Sequence, residues 1–344
     1  MANPFRVWIE GGGVAAAALA TLLARRGIDV ALRREDAGPS RIVAIPRATA
    51  LMLHDLLGID IERRVRARLV VGRRVAWEEV RFVEVAAPAL ICDVRDLVSC
   101  IVDGMPRDAV QTSAQDASGA DWIVLARGRG RNDDRGVAAG ERAAVVGSIP
   151  SLPSFDTQRT LVAAVPDGWL FAAAHPESGI ALTLVQPPGR LTESEPAALT
   201  AAVDALWPGH GRTASAGGAR VHSAPCLDLD CARPGHMTVG DSAFAIDPLR
   251  GDGVGFAIRG ALLAQSVLGA IARERSVGPY LTHYAARLRH AFCRHVDECV
   301  SHYERAWNAA IWQGEIAKMR RSRRLVADVP PLRFRLDHLD LAPA

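Results

Sequence analysis

The segment GDSAFAIDPLRGDGVGFAIRGALLA, residues 240–264, is the most informative in this chain. It reads as three events: a strand end at Gly240-Asp241, a turn containing Asp247-Pro248, and an apolar helix opened by Gly251 and Gly253. A lone carboxylate thus stands at a strand tip, and a glycine-lined helix N-terminus is aimed at the same place. Such a terminus presents unpaired amides and the positive end of the helix dipole, so it suits an anionic group.

The N-terminal residues 5–34, FRVWIEGGGVAAAALATLLARRGIDVALRR, spell a strand, a glycine turn, a helix ending near Gly27 and a second strand at 29–33. Gly11 and Gly13 let the backbone approach a pyrophosphate, although many strand-to-helix turns carry glycines for other reasons. Helices are expected at 45–60, started by Pro46 and closed by Gly58, and at 92–105, with a buried strand entering the Ala-x-Gly-Arg turn of 120–131. Residues 156–186 alternate β-prone runs with turn pairs, which predicts an antiparallel sheet. A helix near 193–206 and two or three long helices from 276 to about 325 complete the pattern, with no internal repeat.

The chain has 344 residues, 49% of them hydrophobic, ample for a buried core. Forty-one basic and thirty-eight acidic residues leave a net charge of +3, so no overall field argues for nucleic acid or a membrane surface. No apolar run is read as long enough to cross a bilayer, and six cysteines without a metal or disulfide framework fit a reducing cytoplasm. Five cations in residues 318–324, KMRRSRR, read as a solvated helix end or a docking patch for an acidic partner. His295, Cys299 and His302 share one helical face, as metal ligands can, but no fourth ligand is evident and no metal site is assigned.

Together, the early turn, the Ala126-Arg127-Gly128-Arg129 strand end and the segment at 240–264 resemble FAD-dependent monooxygenases of the aromatic-hydroxylase fold. Gly240, Asp241, Ala243, Pro248, Gly251 and Gly253 fall on that family's late signature, with Ser242 for one alanine. The stretch from Pro166 to Leu184, the FAIDPL form of the late motif and the tail with Trp307 and Trp312 are similar to the branch of tryptophan halogenases and tryptophylquinone-maturation flavoproteins. The resemblance runs from about residue 5 to 315. It implies an α/β fold with a glutathione-reductase-type FAD-binding domain (three-layer ββα), an inserted antiparallel substrate sheet and C-terminal helices. The boundaries it implies are 1–70, 92–150 and 216–275 for the FAD-binding domain, 71–91 and 151–215 for the substrate domain, and 276–344 for the helical region.

By the same resemblance, Gly11, Gly13, Arg34, Arg47, Arg95, Gly240, Asp241, Pro248, Gly251 and Gly253 would hold FAD, with Asp241 accepting from the ribityl chain and Pro248 beside the ring. Arg47 and Arg95 are equally readable as ordinary helix-start arginines. Asp247 is the polar group most readily assigned to the substrate side, with helix capping as its equal alternative. Trp169 is divided between substrate contact and core packing. The implied reaction is hydroxylation of an aromatic small molecule, or of a peptide- or protein-bound tryptophan or tyrosine, through a flavin C4a-hydroperoxide with NAD(P)H as electron donor. A flavin dehydrogenase or reductase, or a non-catalytic maturation partner with weakened cofactor binding, are the alternatives.

Several positions depart from the family pattern. Ala16 replaces the third glycine, Arg34 stands where the ribose-binding acid belongs, with Glu35 one step later, and Leu125 and Arg127 replace an aspartate and a small residue. Glu10 precedes the pyrophosphate turn, where its charge would repel phosphate. The single lysine, Lys318, and the absent Trp-x-Trp-x-Ile-Pro pattern argue against halogenation.

Overall fold

The computed structural model describes residues 5–35, 41–106, 110–112, 117–129, 136–177, 179–191, 194–217, 220–274 and 276–344. Its helices are α1 (Val14–Arg25), α2 (Arg47–Leu57), α3 (Ile61–Arg64), α4 (Val94–Asp103), α5 (Glu195–Leu206), α6 (Gly253–Glu274), α7 (Gly278–Arg305) and α8 (Gln313–Leu325).

The first strand, Arg6–Glu10, lies parallel between Asp29–Arg33 and Trp122–Leu125. Val110–Thr112 and His236–Thr238 extend the parallel sheet on either side, and Ala232–Arg233 closes one edge in antiparallel sense. Strands buried on both faces read as continuous apolar runs, which is why Val7, Ile9, Leu32 and Val124 are almost wholly inaccessible. α1 is buried from Val14 to Leu23 and packs along α6 and α4. Its alanines allow that close approach, and Gly240 takes part in it: a Cβ there would stand 2.6 Å from the Ala15 Cβ.

A second sheet of eight strands stands against this core. Arg159–Val165, Gly168–Ala174 and Ile180–Gln186 form the expected antiparallel meander. Gly72–Ala76 joins it in parallel with Arg159–Val165, so the sheet is mixed rather than purely antiparallel. Ala143–Ile149 and Val221–His222 also belong to it, although the sequence boundaries place them in the nucleotide-binding part. An apolar run fixes a strand but not the sheet that receives it. One face, with Val162, Ala164, Trp169 and Val185, joins the main core; the other, with Leu161, Leu170, Leu182 and Leu184, packs on Leu199 and Val203 of α5.

Two expectations change. α6 is 22 residues long with a mean hydropathy of 1.6 over its most apolar window, long and apolar enough to span a bilayer, yet 72% of that window is buried inside the fold as a core helix. The C-terminal region is not wholly helical, because Phe334–Asp337 and Asp340–Pro343 form a hairpin. That hairpin is tied back by Arg26 and Arg273 to Asp340.

Candidate functional site

The early and late motifs meet at the C-terminal edge of the parallel sheet. Gly11 can only be glycine: a Cβ would stand 2.2 Å from the Ala126 carbonyl oxygen, just beyond the ends of the two parallel strands Arg6–Glu10 and Trp122–Leu125. Gly13 is the N-cap of α1, no side chain caps the helix, and a Cβ at Gly13 would meet nothing within 4 Å. The first amides of α1 therefore face an open cradle, a ready site for a phosphate. Across it, Asp241 lies in a short 3-10 turn at Gly240–Ser242, and Ser242 Oγ donates to the Gly128 carbonyl at 3.1 Å. Pro248–Arg250 forms another 3-10 turn, closed by Gly251 in the left-handed region with φ 65°, and α6 starts at Gly253.

The charges around the cradle are mutually compensated. Glu10, only 8% exposed, accepts from Trp8 Nε1 at 3.0 Å and pairs with Arg33 at 3.3 Å and with Arg127. Burial pushes the Glu10 carboxyl up, but the hydrogen bonds from Trp8 and Arg127 and the charges of Arg127 and Arg33 outweigh it, and the net shift is down. The repulsion expected between Glu10 and a phosphate is thus largely cancelled by two guanidinium groups. Arg127 also pairs with Glu35 at 3.2 Å, which engages the acid expected at the ribose. Asp241 pairs with Arg129 at 3.4 Å, and Arg129 is further held by the carbonyls of His222, Ala224 and Ile246. Arg34, Arg47 and Arg95 are exposed; Arg95 stands in the first turn of α4, its amide accepted by Asp93 at 2.7 Å.

The uncapped α1 terminus, the open cradle at Gly13 and the half-exposed carboxylate of Asp241 form a set of donors and acceptors that fits the pyrophosphate and polyol of FAD. The fit requires Arg129 to share Asp241 with the bound hydroxyls.

Asp247 is fully buried. One oxygen caps the 3-10 turn by accepting from the Leu249 amide at 2.8 Å, so the capping geometry is the one formed. The other accepts from Arg142 Nε at 2.7 Å and Nη2 at 2.6 Å. Arg142 is itself fully buried and donates onward to Glu315 of α8 at 3.0 Å, while Glu315 also accepts the amides of Glu141 and Arg142. Tyr303 donates to Asp247 at 3.2 Å and accepts from Trp169 Nε1 at 3.0 Å. Trp169 is a core residue here, packed edge-on to Trp77 with ring centroids 6.3 Å apart. Sequence reading had no access to this network, because Arg142 and Glu315 are 173 residues apart; the only local signal was an arginine following Gly140-Glu141 within an apolar run.

His295 accepts the Asp247 amide through Nε2 at 2.8 Å, and Cys299 Sγ lies 3.5 Å from the same nitrogen. His302 instead lies 3.2 Å from Arg305 Nη2. Among the described residues no group of three His, Cys, Asp or Glu side chains could hold a metal ion. Three of the five cations at 318–324 are paired: Lys318 with Glu141 at 2.6 Å, Arg320 with Glu304, and Arg323 with Asp297 at 3.1 Å.

No protein-family model matches the chain, and no curated protein matches its sequence. Solved structures do match. The peptidyl tryptophan dihydroxylase QhpG, essential for tryptophylquinone cofactor biogenesis, is 20% identical with a TM-score of 0.76 over 99% of this chain and 86% of its own. The myxobacterial chondrochloren halogenase CndH, a variant of the FAD-dependent halogenases, is 19% identical with a TM-score of 0.75 over 94% of this chain and 90% of its own. The p-nitrophenol 4-monooxygenase PnpA from Pseudomonas putida DLL-E4 is 16% identical with a TM-score of 0.67 over 94% and 96%. The fold of this chain is that of the FAD-dependent halogenases and aromatic monooxygenases.

Proposed function

We propose that this chain is an FAD-dependent monooxygenase that hydroxylates an aromatic substrate, with NAD(P)H as electron donor. One observation carries the reading: the open N-terminus of α1, the Asp241 carboxylate and the Gly251–Gly253 turn converge at one sheet edge beside a second, substrate-type sheet.

The amides at the start of α1 would hold the pyrophosphate and Asp241 the ribityl hydroxyls, with the turn from Pro248 to Gly253 beside the ring. When bound, FAD supplies reduction by a nicotinamide and the activation of oxygen. The chain's own work is to bind, orient and exclude water. The buried Asp247–Arg142–Glu315 ion pairs fix the Pro248 turn against α8. The aromatic cluster of Trp77, Trp169, Tyr303 and Trp312 is buried where the helical tail packs on the second sheet. Halogen transfer is disfavoured because the single lysine is ion-paired on α8. Likeness to QhpG favours a peptide-bound tryptophan over a free aromatic, and six cysteines with no disulfide among the described residues suit a reducing, cytoplasmic setting.

The pairing of Glu35 with Arg127 and of Asp241 with Arg129 favours a second reading, a partner in maturation that has lost its cofactor. The visible spectrum of the purified protein before and after adding FAD separates the two. Flavin bands followed by NAD(P)H-dependent oxygen uptake support the oxygenase. Bands with NAD(P)H oxidation but no oxygen uptake indicate a dehydrogenase or reductase, and a colourless protein after reconstitution indicates the partner.

A further inference from the structure

The outer face of the second sheet holds a cleft that the proposed chemistry does not use. Along the strand Ile180–Gln186, side chains alternate, so Leu182, Leu184 and Gln186 point to the side that packs on α5. Leu182 and Leu184 bury against that helix, and a third apolar residue would continue the stripe; Gln186 ends it instead. Gln186 is 3% exposed, and among the described residues its Oε1 has no hydrogen-bond partner. A cleft of about 150 Å³ opens beside it, between α5, the hairpin turn at 165–168 and the 3-10 turn Pro188–Arg190.

The walls of the cleft are Val165, Pro166, Leu184, Ala198 and Ala202, with exposed Ala201 at its edge. Asp167 and Arg190 stand at the mouth and pair with each other at 3.2 Å, so the rim carries no net charge. A Cβ on Gly189 would meet nothing within 4 Å, so the 3-10 turn leaves the space open. A Cβ on Gly168 would stand 3.2 Å from Gln186 Cγ, so the hairpin holds the stem of that side chain in place. The terminal torsion of a glutamine is soft and two-fold, and a turn about it presents either the oxygen or the nitrogen to the cleft. A desolvated amide oxygen without a donor is a cost that a ligand can remove. Apolar walls and a self-neutralised rim exclude an ion, which leaves a neutral molecule. Gln186 is matched in both donor and acceptor by another carboxamide, through two antiparallel N–H···O bonds. An apolar cavity of this volume takes a molecule about the size of benzene, which sets the ligand at about six non-hydrogen atoms.

We propose that this cleft is a binding site for a small neutral carboxamide, held by Gln186 at its polar end and by Leu184, Pro166 and the alanines of α5 along its aliphatic body. The site is separate from the flavin cradle. It opens on the α5 face of the second sheet, whereas Val162, Trp169 and Val185 on the opposite face join the main core. The proposal therefore goes beyond the oxygenase reading and does not depend on it.

The test uses three molecules of one size and shape: isobutyramide, 3-methyl-2-butanone, which lacks the donor, and isobutyrate, which is charged. Each is titrated by ligand-observed NMR against wild type, Q186M and A201F. Wild type is expected to bind the amide about 10-fold tighter than the ketone or the acid. Q186M keeps the volume but removes the amide, so it should lose that preference and, without ligand, melt no lower than wild type. A201F places a ring over the cleft from an exposed helix position, so it should melt as wild type does and bind none of the three. It also carries the test should Q186M fail to fold. A crystal soaked in isobutyramide should show the carboxamide against Gln186. The proposal is overturned if the amide shows no saturable binding, if the ketone binds as well, if the preference survives Q186M, if binding survives A201F, or if the soaked cleft holds water alone. FAD uptake should be the same in wild type and Q186M, and a wild type that takes up no FAD yet binds the amide leaves this site standing while the oxygenase reading falls.

Discussion

At the scale of single residues, the site is a matter of which charges are already answered. Asp241 is half-exposed and shares only a 3.4 Å contact with Arg129, so its carboxylate has acceptor capacity left for hydroxyl donors. Asp241→Asn is expected to weaken FAD affinity about 10- to 100-fold, read by flavin fluorescence quenching, while barely changing the melting temperature. Glu10 behaves oppositely. It is buried and doubly paired, so Arg127→Ala is expected to destabilise the fold by about 1–3 kcal/mol in urea titration, because it leaves a desolvated carboxylate supported only by Trp8 and Arg33. The glycines of the site were legible in the sequence because a tight turn leaves a local mark. The cationic partners of Glu10 were not, since they arrive from strand tips 23 and 117 residues away.

At the scale of elements, local chemistry was a good guide wherever an element ends on its own signal. α2 begins after Pro46 and ends at Gly58 in the left-handed conformation, and α4 is capped by Asp93, within the spans expected from sequence. What sequence could not give was the seating of α7 and α8, which depends on contacts between distant segments. Asn308 donates to the carbonyls of Val165 and Gly168, and Trp77 donates to that of His302, which staples the helical tail to the substrate sheet. Glu315 is the central tie, 1% exposed and bound to Arg142 and two backbone amides. Glu315→Ala is expected to cost about 3–5 kcal/mol, since it strips one partner from a buried cation and leaves two amides unsatisfied. Limited proteolysis would then show cleavage within 313–325 ahead of the parallel sheet. Equal protection of α8 in the variant would remove this residue from the account.

At the scale of the whole molecule, the two sheets and the helical tail are joined through a centre that must stay neutral at one point. His295 accepts the Asp247 amide through Nε2, which only an unprotonated nitrogen can do. Burial holds its pKa down, against the attraction of Asp247, at about 4. Unfolding releases the ring to an ordinary value near 6.5. Because the folded value is the lower one, the unfolded chain binds the extra proton between these two values, and stability falls as pH drops through that window. The loss from His295 between pH 7 and pH 5 is about 2 kcal/mol, levelling off below pH 4, where the folded protein protonates as well. His222, His283 and His302 are also held below their usual value, each chiefly by burial, and act in the same direction. The contribution of His295 is therefore isolated by comparison. His295→Gln keeps an acceptor for the Asp247 amide and cannot titrate, so its urea-unfolding free energy should fall by about 2 kcal/mol less than wild type between pH 7 and pH 5. Parallel pH profiles for the two proteins would show that His295 does not titrate on unfolding, and the neutral ring at the centre of the network would have to be abandoned.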